Sequence, residues 1–171
     1  VTNSNDVGRI LFTQILQKSL MATKEQRLEA KKKLPMVLEL CCGSNAYAKS
    51  YLNMLCSITR VIDDIYDQDA EVSRESLLKV FEELFVKLPT NPFFIQYQDV
   101  LLSQHLSMWN SWVAANKWKN GDETEQIYSH VWRYTIHEVF PIVALLTQGY
   151  NHMKFTSNEV RKLYKTKLGE D

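Results

Sequence analysis

Three aspartates, Asp63, Asp64 and Asp67, lie within one short segment and are the side chains best suited to chemistry in this chain. On a helical wheel, Asp63 and Asp67 share one flank beside an apolar stripe, and Asp64 lies nearer to solvent. Carboxylates four positions apart repel each other, and the negative end of the helix dipole adds to the cost, each by about 0.3–0.5 kcal/mol. A divalent cation such as Mg²⁺ would cancel this repulsion. Since Mg²⁺ in proteins binds one or two carboxylates together with substrate phosphates, residues 63–67, the acidic run, predict an Mg²⁺-dependent site for a diphosphate or triphosphate ester. The alternative is a solvated acidic helix end.

Glu138 is a fourth candidate metal ligand. It lies within a predicted helix over residues 122–148 and falls between apolar side chains on the helical wheel. A carboxylate in that position must be paired with a cation or bound to a metal, because an isolated buried charge is too costly. If Glu138 faces the acidic run across a bundle, the two complete a carboxylate metal site. The alternative is an ion pair with a base such as Arg60 or Arg133.

Residues 62–67, Ile-Asp-Asp-Ile-Tyr-Asp, resemble the aspartate-rich DDxxD motif of class I terpenoid synthases. The resemblance implies that Asp63 and Asp67 bind Mg²⁺ ions that grip a prenyl diphosphate, with Asp64 in a secondary role. It also implies an all-helical fold rich in aromatic side chains, which stabilise carbocations. The second metal motif of that family and its diphosphate-binding arginine pair are not found in this chain. The resemblance covers these six residues and their helical context.

Two other enzyme classes remain as alternatives. Residues 37–44 resemble the strand and glycine loop of methyltransferases that use S-adenosylmethionine, although the segment contains a single glycine and a helix follows it. Helical nucleoside triphosphate pyrophosphatases bind Mg²⁺ through carboxylates on neighbouring helices, and Glu82 and Glu83 could act there with Glu138 and the acidic run.

A non-catalytic function is the remaining alternative. Trp109, Trp112 and Trp118 follow one another on a single predicted helix. If they are exposed, they form an aromatic surface for a partner protein or for a homodimer. Their spacing relative to neighbouring apolar residues favours a place in the core instead; these neighbours are Leu102, Leu106 and Val113.

The elements that would position these residues are all predicted to be helices. Apolar residues recur at helical intervals along the chain, and no segment has the alternation of a strand. The predicted helices span about 6–22, 24–34, 45–67, 73–85, 92–119, 122–148 and 158–168, with a short apolar piece over 36–42 and a loop over 88–92. The expected caps are Thr23, Asn45, Ser73, Asp122 and Ser157. With few glycines and prolines and no linker, residues 1–171 are expected to form a single all-α domain, a bundle of about six to eight helices similar to a terpenoid synthase.

The overall composition and net charge of the chain limit the kinds of partner that it is expected to bind. The chain has 20 basic and 20 acidic residues and no net charge, which argues against nucleic-acid binding. No apolar run approaches the roughly 20 residues that cross a bilayer, and the first residues lack a signal-peptide pattern. Cys41, Cys42 and Cys56 form no disulfide or zinc pattern, which is typical of a reducing compartment and indicates a soluble, cytoplasmic protein.

Overall fold

A computed structural model of the chain describes Leu28, residues 32–68 and residues 71–164. The chain divides into two compact units, Val1–Pro35 and Met36–Asp171. In the first unit, residue 28 and residues 32–35 are described, and all are helical. The predicted helix over 6–22 and most of that over 24–34 therefore lie outside the described residues.

The second unit is built from helices joined by short turns. It begins with helical residues 36–42, here α1, and continues with α2 (Ala46–Asp67), α3 (Arg74–Glu82), α4 (Pro92–Gln96), α5 (Gln98–Trp118), α6 (Glu123–Arg133), α7 (Val139–Gln148) and α8 (Tyr150–Tyr164). A π-helical turn extends α3, and a 3₁₀ turn joins α6 to α7; these are Glu83–Lys87 and Tyr134–Glu138. The described part of the chain contains no strand, which confirms the all-α class. None of its helices is both long and apolar enough to span a bilayer.

Polar caps begin four of these helices, as expected for residues that satisfy free backbone N–H groups. Three of the five predicted caps are confirmed: Asn45 accepts from the N–H of Ala48, Ser73 from that of Ser76, and Asp122 forms a capping box with Glu125. Ser157 instead lies inside the last helix, so that predicted cap is wrong, and Thr23 lies outside the described residues. The fourth cap, Asn91, starts α4 and was not predicted. Its carboxamide oxygen accepts a 3.0 Å hydrogen bond from the N–H of Phe94.

The two longest predicted helices are each interrupted. Residues 92–119 bend at Tyr97, whose backbone leaves the helical region with φ −121° and ψ 25°. Residues 122–148 tighten into the 3₁₀ turn just before Pro141, which has no N–H to offer the carbonyl of His137 and crowds it. Gly149, with φ 87°, follows the last residue of α7, so the predicted helix end at residue 148 is confirmed. The last helix starts directly after Gly149 and not at residue 158, so the predicted start is wrong.

Two helical hairpins and α2 supply the core of the second unit. α5 packs against α6, α7 packs against α8, and α2 contacts α3, α4 and α7. The buried apolar residues are Val37, Leu38, Cys41, Cys42, Ala48, Tyr51, Leu52, Met54, Leu55, Ile58, Val80, Leu88, Phe93, Phe94, Leu101, Met108, Ala115, Val139, Phe140, Val143, Ala144 and Val160. The cysteines are free thiols, and burial raises the pKa of Cys42 to about 12, so it is an inert core residue.

Candidate functional site at the end of helix α2

The acidic run forms the last turns of α2, beside the second half of α5. Asp63 accepts a 3.0 Å hydrogen bond from the indole Nε1–H of Trp112. Asp67 forms an ion pair with Lys119, whose Nζ lies 3.0 Å from its Oδ1. The predicted flank is therefore confirmed for Asp63 and Asp67, since both side chains reach α5 or the residue that follows it.

An aromatic contact reinforces this junction. The ring of Tyr66 meets that of Trp112 edge to face, with centroids 4.8 Å apart, and the ammonium of Lys119 lies 5.9 Å from the centroid of Tyr66. Edge-to-face rings and a cation over a ring are both favourable arrangements. We call Asp63, Tyr66, Asp67, Trp112 and Lys119 the α2–α5 clasp. The positive charge of Lys119 offsets part of the repulsion between the carboxylates and the helix dipole.

Asp64 lies apart from the clasp. Its Oδ1 is 3.5 Å from Nε of Arg60, one turn earlier on the same helix. The Asp64 side chain is 16% exposed and that of Asp67 is 21% exposed, so Asp64 is no more exposed than Asp67. A helical wheel accounts only for a helix's own apolar stripe, whereas burial also depends on the elements packed around it.

Glu138 is held by a partner that the sequence did not indicate. Arg161 of α8 reaches both of its carboxylate oxygens, with Nη2 at 2.9 and 3.0 Å and Nε at 3.2 Å. The ion pair with a base, one of the two alternatives, is therefore present, with Arg161 in place of Arg60 or Arg133. The Glu138 side chain is also 41% exposed and lies outside the apolar arc in which the helical wheel placed it. The reason is the 3₁₀ turn, which has 3.0 residues per turn and shifts the side chain out of the phase of an α-helix. Arg133, one of the expected partners, instead donates to the side-chain oxygen of Asn116 at 2.7 Å.

Magnesium binding at the four predicted ligands stays a prediction. Within the described ranges of the chain, no group of three or more His, Cys, Asp or Glu side chains is arranged to hold a metal ion. The acidic pair of the pyrophosphatase alternative is also engaged: Glu82 pairs with Lys87 at 3.1 Å, and the buried Glu83 lies 3.5 Å from Lys79.

The methyltransferase alternative requires a strand that runs into a glycine loop. Residues 37–42 are instead helical, and Gly43 follows with φ 53° as the turn between α1 and α2. The end of α1 is tied to the α7–α8 hairpin, because Thr147 donates to the carbonyl of Cys41 at 2.8 Å and the His152 ring lies 2.7 Å from that of Leu40. This segment therefore forms part of the helical core.

The tryptophans of α5 lie in different environments. Trp112 and Trp118 are half-buried, but Trp109 is 52% exposed and Leu106 is 65% exposed. The sequence favoured a place in the core for the tryptophans and for the apolar residues near them. That prediction is wrong for Leu102, Leu106 and Trp109, which are exposed. The buried face of α5 carries Leu101, Met108 and Ala115. Since α5 has apolar residues on two adjacent faces, periodicity alone could not decide which face is buried.

One polar pair inside the core was missed. The hydroxyl of Tyr51 and Nε2 of His105 are hydrogen-bonded at 2.7 Å, and their rings stack with centroids 5.9 Å apart. Phe94 stacks on both rings. Burial lowers the pKa of His105, so the imidazole is neutral at pH 7. The available signal was Tyr51 itself, because a tyrosine in an apolar stripe needs a partner for its hydroxyl.

Comparisons with known proteins identify no relative of this chain. The sequence matches no family model, and searches of curated proteins and of solved structures find no significant match. The resemblance of the acidic run to the terpenoid synthase motif therefore stays a prediction.

Proposed function

We propose that this protein is a non-catalytic helical module that assembles with further copies of itself. The observation that carries the proposal is an exposed apolar stripe along α5. Leu102, Leu106 and Trp109 lie in solvent on one side of the helix, and Val113, half-buried, continues the line. We call these four residues the α5 stripe.

The stripe differs from the scattered apolar residues that any protein exposes. Single exposed leucines are common, because polar atoms cannot cover a whole protein surface. Residues spaced by four, three and four positions instead form a continuous line, which is the spacing of a helix–helix seam. Trp109 also stacks on Trp112 at a centroid distance of 5.3 Å, so a neighbour holds its ring in place. A contiguous exposed apolar surface with a fixed aromatic ring favours a protein interface.

The acidic run has a structural role in this proposal. The α2–α5 clasp links the end of α2 to the second half of α5, which carries Trp109 and Val113 of the stripe, through Asp63 and Asp67. Each of the two carboxylates already has a donor from α5 or from Lys119 just after it. These contacts support a scaffold in which the acidic side chains position a binding surface.

The proposal is tested by the mass of the protein in solution. One chain has a mass of 20.0 kDa. Sedimentation equilibrium over a wide concentration range should show an average mass that rises from this value towards that of a dimer or a larger assembly. A mass that stays at that of one chain up to the solubility limit would remove the proposal.

A further inference from the structure

We infer that two copies of this chain pair through α5 in an antiparallel orientation, with Leu106 of one copy against Trp109 of the other. The inference rests on the proposed self-assembly and adds the surface and the orientation. Three properties of α5 support it: the symmetry of the stripe, the pairing of larger with smaller side chains across the two-fold axis, and the charges at its two ends.

The α5 stripe is symmetric about its own centre. Leu102 and Val113 lie at equal distances from the midpoint between residues 107 and 108, and so do Leu106 and Trp109. A two-fold axis through that midpoint pairs Leu102 with Val113 of the second copy and Leu106 with Trp109. Each contact then joins residues of different size, which lets the side chains of the two helices interdigitate.

Two charged residues lie beside the stripe, and the midpoint between them is within one position of the centre of the stripe. Asp99 and Lys117 are both exposed and lie 18 positions apart, about five turns, so they share one flank of α5. No ion pair among the described residues involves either side chain. In the antiparallel pair the charged flank of one copy lies beside the same flank of the other, so Asp99 faces Lys117 of the second copy at both ends.

The net charge of the chain permits pairing of two copies, and the helix dipoles favour the antiparallel orientation. The chain has no net charge, so two copies do not repel each other at long range. Antiparallel helices also place each helix N-terminus beside the C-terminus of its neighbour, where the partial charges attract.

The surface is tested by comparing three variants in which glutamate replaces an exposed apolar residue. Leu106→Glu places a charge at the centre of the proposed interface, and it should weaken association by at least about tenfold. Val100→Glu is the matched control on the other flank of α5, and Phe85→Glu tests the exposed face beyond α3. Both should change the association constant by less than about twofold. Circular dichroism checks that all three remain helical.

The outcomes separate the two proposals. If the unchanged protein is monomeric, self-assembly fails and the pairing fails with it. If it associates and Leu106→Glu associates equally well, only the pairing through α5 is overturned. Dissociation by Phe85→Glu alone would place the interface at the π-helical turn after α3 and would also overturn the pairing through α5.

A charge exchange tests the orientation. Asp99→Lys and Lys117→Asp each create two like-charge contacts in an antiparallel pair, and each should weaken association by about threefold to tenfold at low salt. The double variant Asp99→Lys/Lys117→Asp restores opposite charges at both ends and should recover the affinity of the unchanged protein. If the single variants weaken association and the double variant does not recover it, the antiparallel orientation is wrong.

Discussion

The indole N–H of Trp112 donates to Oδ1 of Asp63 across 49 positions of sequence, at a distance of 3.0 Å. This contact joins the last turns of α2 to the second half of α5. A hydrogen bond to an ionised carboxylate is stronger than one between neutral groups. The carboxylate that the sequence presents as a candidate metal ligand therefore has a protein donor of its own.

Replacing Trp112 by phenylalanine tests the energetic importance of this contact. Trp112→Phe keeps an aromatic ring beside Tyr66 and removes the N–H that Asp63 uses. We expect the free energy of unfolding to fall by about 2 kcal/mol, from the lost hydrogen bond and the smaller ring. Urea unfolding followed by circular dichroism, on dilute protein, measures the change. Trp109→Phe is the control, and we expect less than about 1 kcal/mol there because Trp109 is half in solvent. Equal losses in the two variants would contradict a specific role for the indole N–H.

A second prediction concerns Mg²⁺. We expect millimolar Mg²⁺ to leave the thermal midpoint unchanged, because Lys119 and Trp112 already supply partners to Asp67 and Asp63. A ligand present at 100 times its dissociation constant would stabilise the fold by about 2.7 kcal/mol, which a melting experiment detects readily. If Mg²⁺ raises the midpoint and the double variant Asp63→Asn/Asp67→Asn abolishes that rise, the expectation fails. Prenyl diphosphates and nucleoside triphosphates should then be assayed as substrates.

Asn91 is expected to be among the least replaceable polar residues of the second unit. Its side chain is buried, caps α4, and donates from Nδ2 to the carbonyl of Tyr47 on α2 at 3.1 Å. Asn91→Ala leaves both backbone partners unsatisfied, and we expect a loss of about 2–3 kcal/mol in urea unfolding. Asn45→Ala removes a cap that makes one such bond and should cost about 1 kcal/mol. A smaller loss at Asn91 than at Asn45 would show that the bond to Tyr47 contributes nothing.

The pair formed by Tyr51 and His105 predicts a dependence of stability on pH. Burial lowers the pKa of His105 in the folded protein, so between that value and the unfolded value of about 6.5 the unfolded chain binds more protons. Stability should therefore be full above pH 6.5 and decrease as the pH falls below it. Urea unfolding at several pH values measures the slope. His105→Gln should flatten the slope in this range, and a slope unchanged in that variant would exclude His105 as its source.

Much of the helical pattern could be predicted from sequence, because its signals are local. Asn45, Ser73 and Asp122 cap helices where their side chains predict it, and Gly149 ends α7. The interruptions within the two longest predicted helices were harder to predict. Tyr97 has no sequence feature that requires an interruption.

The contacts of the candidate site could be predicted only in part. The wheel of α2 correctly indicated that Asp63 and Asp67 share a flank beside the core. It could not indicate that Trp112 and Lys119 face them, because those partners lie 49 and 52 positions away. Arg161 was missed as the partner of Glu138 for the same reason, and because a 3₁₀ turn changes the phase of the side chains around Glu138.

The distribution of tryptophan determines what optical experiments on this protein can detect. All four tryptophans lie on the α5–α6 hairpin, and the rings of Trp118 and Trp132 are 4.6 Å apart. Intrinsic fluorescence therefore reports on that hairpin and its immediate neighbours, whereas circular dichroism averages over every helix. A hairpin that melts separately would give two different midpoints with the two methods, and cooperative unfolding would give one. The chain thus has a built-in reporter of whether its helices unfold together.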